Sequence, residues 1–364
     1  MNVQPCLTIH AIKCVGVLVP MSRPLATSAQ TVTHAPLLLV DLLTEEGVTG
    51  HSYLFCYTPS AVKAVEQVVD DISKRLKGMK VEPLEINTFL HQSFRLLGVR
   101  GLVSMAIAGV DVACWDALAQ AKQMPLTTLL GGSPKAIKAY NSCGLGLMAP
   151  EAAADEAIEL LENGFKAVKL RLGRENASAD LMAIRAVRKK LPDHIELMVD
   201  FNQALSLPEA IRRCKMIDDE GLAWIEEPIR HDDYDGYAQL SRSFKTPMQF
   251  GENFTDCFAM SQAIKSQSSH LMMPDLERIG GVTGWLKAAA LSAAAGIEIS
   301  SHLFPEVSAH LLAVSPTAHW LEYVDWANPI LKEPMNIADG NSLPRDVPGT
   351  GIEWDEHAVA KFKF

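Results

Sequence analysis

The strongest constraint on the fold is a repeat in the second half of the chain. From about residue 135, short apolar runs alternate with amphipathic stretches such as PEAAADEAIELLENG and GWLKAAALSAAAG. The apolar runs are IKAYNSC, AVKLRL, ELMVDF, AWIEEP, PMQFGE, LMMPD, IEISSH and HWLEYV. Strands alternating with helices are the sequence form of βα units and a parallel sheet, and eight of them predict a closed barrel. Asp200, Glu226, Glu252, Asp275, His302 and Glu322 stand at or near the ends of successive runs, separated by 26, 26, 23, 27 and 20 residues. Each interval is one βα unit. All six therefore reach the C-terminal rim, where barrel enzymes hold their active sites.

Asp200, Glu226 and Glu252 come from three consecutive strands, so their carboxylates are expected to converge. Three anions together repel unless a cation joins them, and an all-oxygen set of this kind suits Mg²⁺. Asp275 and His302 fall on adjacent strands at matching height, where a carboxylate orients an imidazole and raises its basicity. Glu322 is expected to donate a proton to a developing oxyanion if neighbouring acids raise its pKa. Glu227 and Glu306, near the same rim, are read as structural. One strand before the metal cluster, GFKAVKLRLG aims Lys169 and Arg171 at one face about 6 to 7 Å apart. A lysine beside another cation has its pKa lowered, which suits a base. The same two cations also serve as a basic wall balancing the acids.

The first 130 residues read differently. LTIHAIKCVGVLVP alternates as a strand, a loop rich in Gly, Ser, Thr and Pro is expected over residues 20–36, and TEEGVTG turns the hairpin that follows. SAVKAVEQVVDDISKRLKG and LVSMAIAGVDVACWDALAQA are helices. The predicted fold is α/β: an α+β capping domain (1–130), a TIM-type (β/α) barrel (131–325) and a C-terminal segment (326–364) returning to the cap. No apolar run is expected to span a membrane, and MNVQPCLTIH has no signal-peptide form, so the protein is expected to be cytoplasmic. With 33 basic against 43 acidic residues and no cationic block, neither nucleic acid nor membrane is an expected partner. Seven scattered cysteines form no CxxC, which argues against a thiolate zinc site. RIGGVTG lacks phosphate-loop order, and the Ser and Cys residues of ISSH and NSC have no nucleophile-elbow context.

A carboxylate triad on successive strands, with a lysine-bearing strand before it and an Asp/His pair after it, resembles the enolase superfamily and specifically its mandelate racemase branch. APLLLVDL, GHSYLFCYTP, MVDFNQ, WIEEP, GENF, MPD, IGGVTGW, SSHLF and PTAHWLE carry the resemblance over nearly the whole chain. It implies a homo-oligomeric enzyme whose Mg²⁺, on Asp200, Glu226 and Glu252, holds the carboxylate of a small 2-hydroxy acid. His302 with Asp275 would move the α-proton, and Glu322 would stabilise the enediolate. Ser142 and Asn202 match substrate-contacting positions, and the Thr27–Val32 loop and Phe55–Tyr57 would close over the substrate. Phe55, Tyr57, Val32 and Leu303 would give an apolar lining, favouring an aromatic or apolar substrate over a sugar. Cys143 and Ala29 replace other residues at the pocket. Two-faced members carry Lys-x-Lys where this chain has Lys169-Leu170-Arg171, and the second position is the family's second base. Arginine is a poor base. The implied outcome is racemisation, with a one-base acid-sugar dehydratase as the alternative and a non-catalytic Mg²⁺/carboxylate-binding barrel behind both.

Overall fold

The computed structural model describes residues 6–364, so the first five residues of the predicted cap lie outside the described residues. The cap is an antiparallel sheet of β1 (Ile9–Ala26), β2 (Thr31–Thr44) and β3 (Thr49–Phe55), ordered as in the chain, with α1 (Pro59–Leu76), α2 (Pro83–Ser93) and α3 (Leu102–Ala121). Thr58 caps α1 by accepting the Ala61 N–H, with Pro59 opening the first turn. Val62, Val65, Val69, Ile72 and Leu76 then repeat at helical spacing and are buried. The expected loop over residues 20–36 is instead mostly paired strand. Val19 lies opposite Ala35 and Leu25 opposite Val32, with a register shift between Pro20 and Leu25. The two prolines are tolerated because β1 is an edge strand whose ladder is already interrupted there. The result is a long arm whose tip reaches the barrel, where Ser28 Oγ donates to the Phe201 carbonyl at 3.2 Å.

The expectation that no run is membrane-like also needs correction. The 20 residues of α3 are long and apolar enough to cross a bilayer. Here α3 is a core helix: it packs along β3, accepts the Ser52 hydroxyl at the Gly109 carbonyl, and contacts the barrel's outer helices.

The barrel strands are β4 (Ile137–Asn141), β5 (Ala167–Arg171), β6 (Glu196–Asp200), β7 (Trp224–Glu226), β8 (Met248–Phe250), β9 (Leu271–Met272), β10 (Glu298–Ile299) and β11 (Leu321–Tyr323). They pair in parallel in chain order, β11 returns to β4, and an Ile299–Ala318 bridge joins the remaining seam. A one-turn helix, α4 (Leu126–Leu129), leads into β4. Outside the strands run α5 (Pro150–Glu159), α6 (Ala177–Lys190), α7 (Leu207–Ile217), α8 (Tyr234–Ser243), α9 (Cys257–Lys265), α10 (Leu276–Ile279), α11 (Gly281–Ala295) and α12 (Pro305–Val314). Because side chains alternate along a strand, one set points inward in layers. Tyr140, Met198, Trp224, Leu271, Met273 and Trp320 form an apolar cluster. Two residues further along β6, β7 and β11 stand Asp200, Glu226 and Glu322. The apolar layer is thus a floor beneath a charged one.

Beyond the barrel, the hairpin of β12 (Ile337–Ala338) and β13 (Asn341–Ser342) adds to β4. The chain then runs back to the cap: Trp354 Nε1 donates to Asp41 at 2.8 Å, and after α13 (Glu356–Phe362) Lys363 bridges Val17.

Candidate active site

A cavity of about 250 Å³ opens at the barrel's C-terminal rim beneath the arm and the end of β3. Its wall includes Lys169, Arg171, Asp200, Glu252, His302 and Glu322, together with Thr27, Phe55, Tyr57, Asn202 and Leu303. Several non-glycine residues past strand ends at the barrel rim have positive φ, among them Asn202 (46°), Gln203 (63°), Glu227 (37°) and Leu303 (51°). Non-glycine residues occupy this region at a cost, and such strain concentrates at functional sites.

His302 Nδ1 meets Asp275 Oδ2 at 2.6 Å, so Asp275 fixes the ring and leaves Nε2 toward the cavity. Nε2 lies 3.1 Å from Glu252 and 3.8 Å from Glu322. Burial alone would depress the imidazole pKa, but Glu252, Glu322 and Asp275 outweigh it and hold it well above the ordinary value. Burial would likewise raise Glu252, yet His302 takes it down to about 2.

The three expected metal ligands do not close on one point in this structure. Lys169 Nζ stands among the acids, 2.8 Å from Glu226, 2.8 Å from Glu322 and 3.7 Å from Asp200. Glu226 sits below the cavity wall, also accepting from Trp224 Nε1 at 2.9 Å, while Glu252 turns to His302. The predicted lowering of the Lys169 pKa is reversed. Burial and Arg171 do lower it, but Glu226, Glu322 and Asp200 outweigh them, so the ammonium is held charged. The expectation for Glu322 is reversed too. Burial raises it, but Lys169, His302 and Arg171 hold it well below the carboxylate range, as an acceptor rather than a proton donor. Glu322 also takes the Leu303 N–H at 2.9 Å.

Even so, the donor set fits a hard divalent cation. Burial pushes Glu226 up to about 8, raises Asp200, and raises Glu227 well above its ordinary value with Glu252 adding to the effect. Buried carboxylates destabilised in their charged form are relieved by a shared cation. The buried Asn202 Oδ1, with no partner in the structure, supplies a further oxygen nearby.

Other expectations are redrawn. Ser142 does not touch the cavity: it accepts Arg171 Nη2 at 3.0 Å from behind. Val32 does not line it either, because its hairpin partner Leu25 takes that position. Ala29 lines the wall and Cys143 does not. Glu227, read as structural, belongs to the wall and accepts from Asn253 Nδ2 at 3.0 Å. Glu306 does not line the cavity and takes the Tyr53 hydroxyl at 2.7 Å. Gln30 lines the cavity from within the expected Thr27–Val32 loop; Gln203, Asn253, Arg278 and Trp326, which also line it, were not among the expected residues. Arg278, one helical turn past Asp275, was findable from that spacing; Trp326 arrives from the segment after the barrel and carried no local signal.

A capped (β/α) barrel with an Asp–His pair, a buried lysine and clustered carboxylates on its rim defines an enzyme of the enolase superfamily. Residues 10–131 match the family Mandelate racemase / muconate lactonizing enzyme, N-terminal domain, and residues 152–358 match Enolase C-terminal domain-like; the chain belongs to this family. Its similarity extends to an enolase of an alpha proteobacterium, bal199, crystallised with bound magnesium, at 46% identity and a TM-score of 0.97 over 98% of this chain and 100% of that one. A Bradyrhizobium enolase complexed with magnesium and mandelic acid is 40% identical with a TM-score of 0.95, over 99% of both chains. The L-talarate/galactarate dehydratase of Salmonella typhimurium is 29% identical over 358 residues, 96% of this chain and 90% of that protein.

Proposed function

We propose that the protein removes the α-proton of a small 2-hydroxycarboxylate with His302 as the base and Mg²⁺ as cofactor. The observation that carries this is the His302–Asp275 pair at 2.6 Å, with Nε2 at the cavity and Lys169 and Arg171 on the same wall system. Asp200, Glu226 and Glu252 would hold the cation, with Glu227 beside them. When bound, Mg²⁺ would bind the substrate carboxylate and stabilise the charge that builds there as the proton leaves. Glu252 is the largest of the attractions that raise the His302 pKa, so engaging Glu252 with the cation would lower that pKa toward the range of a base. Lys169, kept charged by Glu226 and Glu322, donates toward the developing oxyanion.

The geometry favours a one-base outcome. Arg171 is bound to Ser142 and to the Lys169 carbonyl, and a guanidinium exchanges protons poorly. After α-proton transfer to His302 Nε2, the same imidazolium returns that proton to a departing β-hydroxyl, so water leaves and a 2-keto acid follows by tautomerisation. Gln30, Gln203, Asn253 and Arg278 supply the polar contacts that a polyhydroxylated acid requires. Racemisation is the second reading, favoured by the apolar Phe55, Leu303 and Trp326 and by the mandelic acid bound to the Bradyrhizobium enzyme. Incubation with Mg²⁺ and each enantiomer of mandelate, or with galactarate and L-talarate, in D₂O separates them. A 2-keto acid product supports dehydration, deuterated racemate supports racemisation, and absence of both exchange and product defeats the proposal.

A further inference from the structure

One turn of helix connects the base to the lid. Asp275, whose Oδ2 meets His302, uses its Oδ1 to cap α10 by accepting the N–H groups of Glu277 at 2.8 Å and Arg278 at 3.1 Å. The next two side chains of that turn reach the cap. Glu277 Oε2 accepts the backbone N–H of Phe55 at 3.0 Å, and the Arg278 guanidinium lies 5.3 Å from the centre of the Tyr57 ring while donating to Asn253 at 2.8 Å. Phe55 and Tyr57 both line the cavity, and Phe55 packs against Trp326 with ring centres 4.9 Å apart.

The Phe55 contact has a specific cause. β3, like β1, is an edge strand of the cap sheet, and beside Phe55 it is Cys56 whose N–H returns to β2, at the Pro36 carbonyl. The Phe55 N–H points out of the sheet into buried space, since Phe55 is 1% exposed and Glu277 is 2% exposed. A buried amide without an acceptor is strongly unfavourable. We infer that Glu277 is a positioning residue that anchors the end of β3 to the barrel, setting where Phe55 and Tyr57 stand over the substrate relative to His302. It touches no reacting atom; it acts through the lid.

The kinetic half of this inference rests on the α-proton chemistry proposed above, whereas the positional half does not. Hydrogen exchange of the 53–57 segment in the full chain reads the anchor directly. In the parent, this edge segment is expected to be protected; Glu277→Ala should speed its exchange at least ten-fold, and Glu277→Gln, which retains an acceptor oxygen, should restore protection. With Mg²⁺ and mandelate or galactarate as probe, Glu277→Ala should raise KM several-fold more than it lowers kcat, because the lid contributes binding to the non-reacting part of the substrate. An unprotected segment in the parent, parent-like protection in Glu277→Ala, or a glutamine variant as impaired as the alanine one would overturn the inference. So would a fall in kcat at constant KM, which would place the effect on His302. Should Glu277→Ala not fold, the parent and glutamine measurements still decide. If neither acid reacts yet protection follows Glu277 as described, the anchor stands and the proposed chemistry fails.

Discussion

Asp275 serves His302 and α10 with different oxygens, Oδ2 at 2.6 Å from the imidazole and Oδ1 on the helix amides. Removing its charge therefore has a separable effect on chemistry. Asp275→Asn keeps an acceptor for the helix but loses the orienting anion, and the rate of α-proton exchange should fall by a factor on the order of 10² to 10⁴. Mg²⁺ affinity should stay within a few-fold. Parallel loss of Mg²⁺ binding would show that the change is structural.

Glu226 and Glu227 are neighbours in WIEEP, but one lies under Lys169 and the other on the cavity wall. Titration calorimetry with Mg²⁺ should find Glu226→Gln weakened by roughly 100-fold or more, and Glu227→Gln by about 10-fold, the scale expected for an outer partner of a ligand. The reverse order would move the third ligand to Glu227.

Arg171→Lys places an exchangeable amine where the guanidinium now stands. Followed by proton NMR in D₂O, the variant should gain exchange from the enantiomer that the parent leaves untouched, with racemate appearing where none formed. A variant no better than the parent would show that residue 171 does not limit attack on the second face.

Acid should destabilise the protein partly through His310. Its ring takes the Thr127 hydroxyl and N–H at Nδ1 and donates from Nε2 to the Thr350 carbonyl, tying α12 to α4 and the C-terminal segment. Burial pushes its pKa down to about 4 from an ordinary 6.5. The unfolded chain thus binds a proton that the native state refuses across that window. The contribution is present above pH 6.5 and is lost as pH falls toward 4, amounting to on the order of 3 kcal/mol. Urea unfolding at pH 7 and pH 4.5 should show a smaller acid loss for His310→Gln than for the parent; equal losses would remove His310 from the account.

Much of the architecture was legible because it is local. Each barrel strand is announced by a short apolar run, and the spacing from Asp200 to Glu322 places those residues at one rim before any contact is known. The arm was not legible: Pro20 and Pro24 read as loop, and only pairing with β2 keeps the segment extended. In the site, the His302–Asp275 pair followed from matching positions on adjacent strands. The resemblance put the Thr27–Val32 loop and Ala29 at the pocket, but the exclusion of Val32 in favour of Leu25 was not legible, because the arm's path over the barrel depends on docking between domains.

What the sequence by itself determined is the repeat: alternation with period two and βα units of fixed length decide which side chains arrive at the C-terminal rim. What only the tertiary structure decided is their state. The Lys169 pKa is pushed up rather than down, and that of Glu322 down rather than up, because electrostatic energies depend on distances of a few ångströms between residues far apart in the chain. The Phe55–Glu277 contact, 222 residues apart in sequence, is of the same kind: neither residue's local pattern specifies it, and it exists only because an edge strand of one domain needed an acceptor that the other supplies.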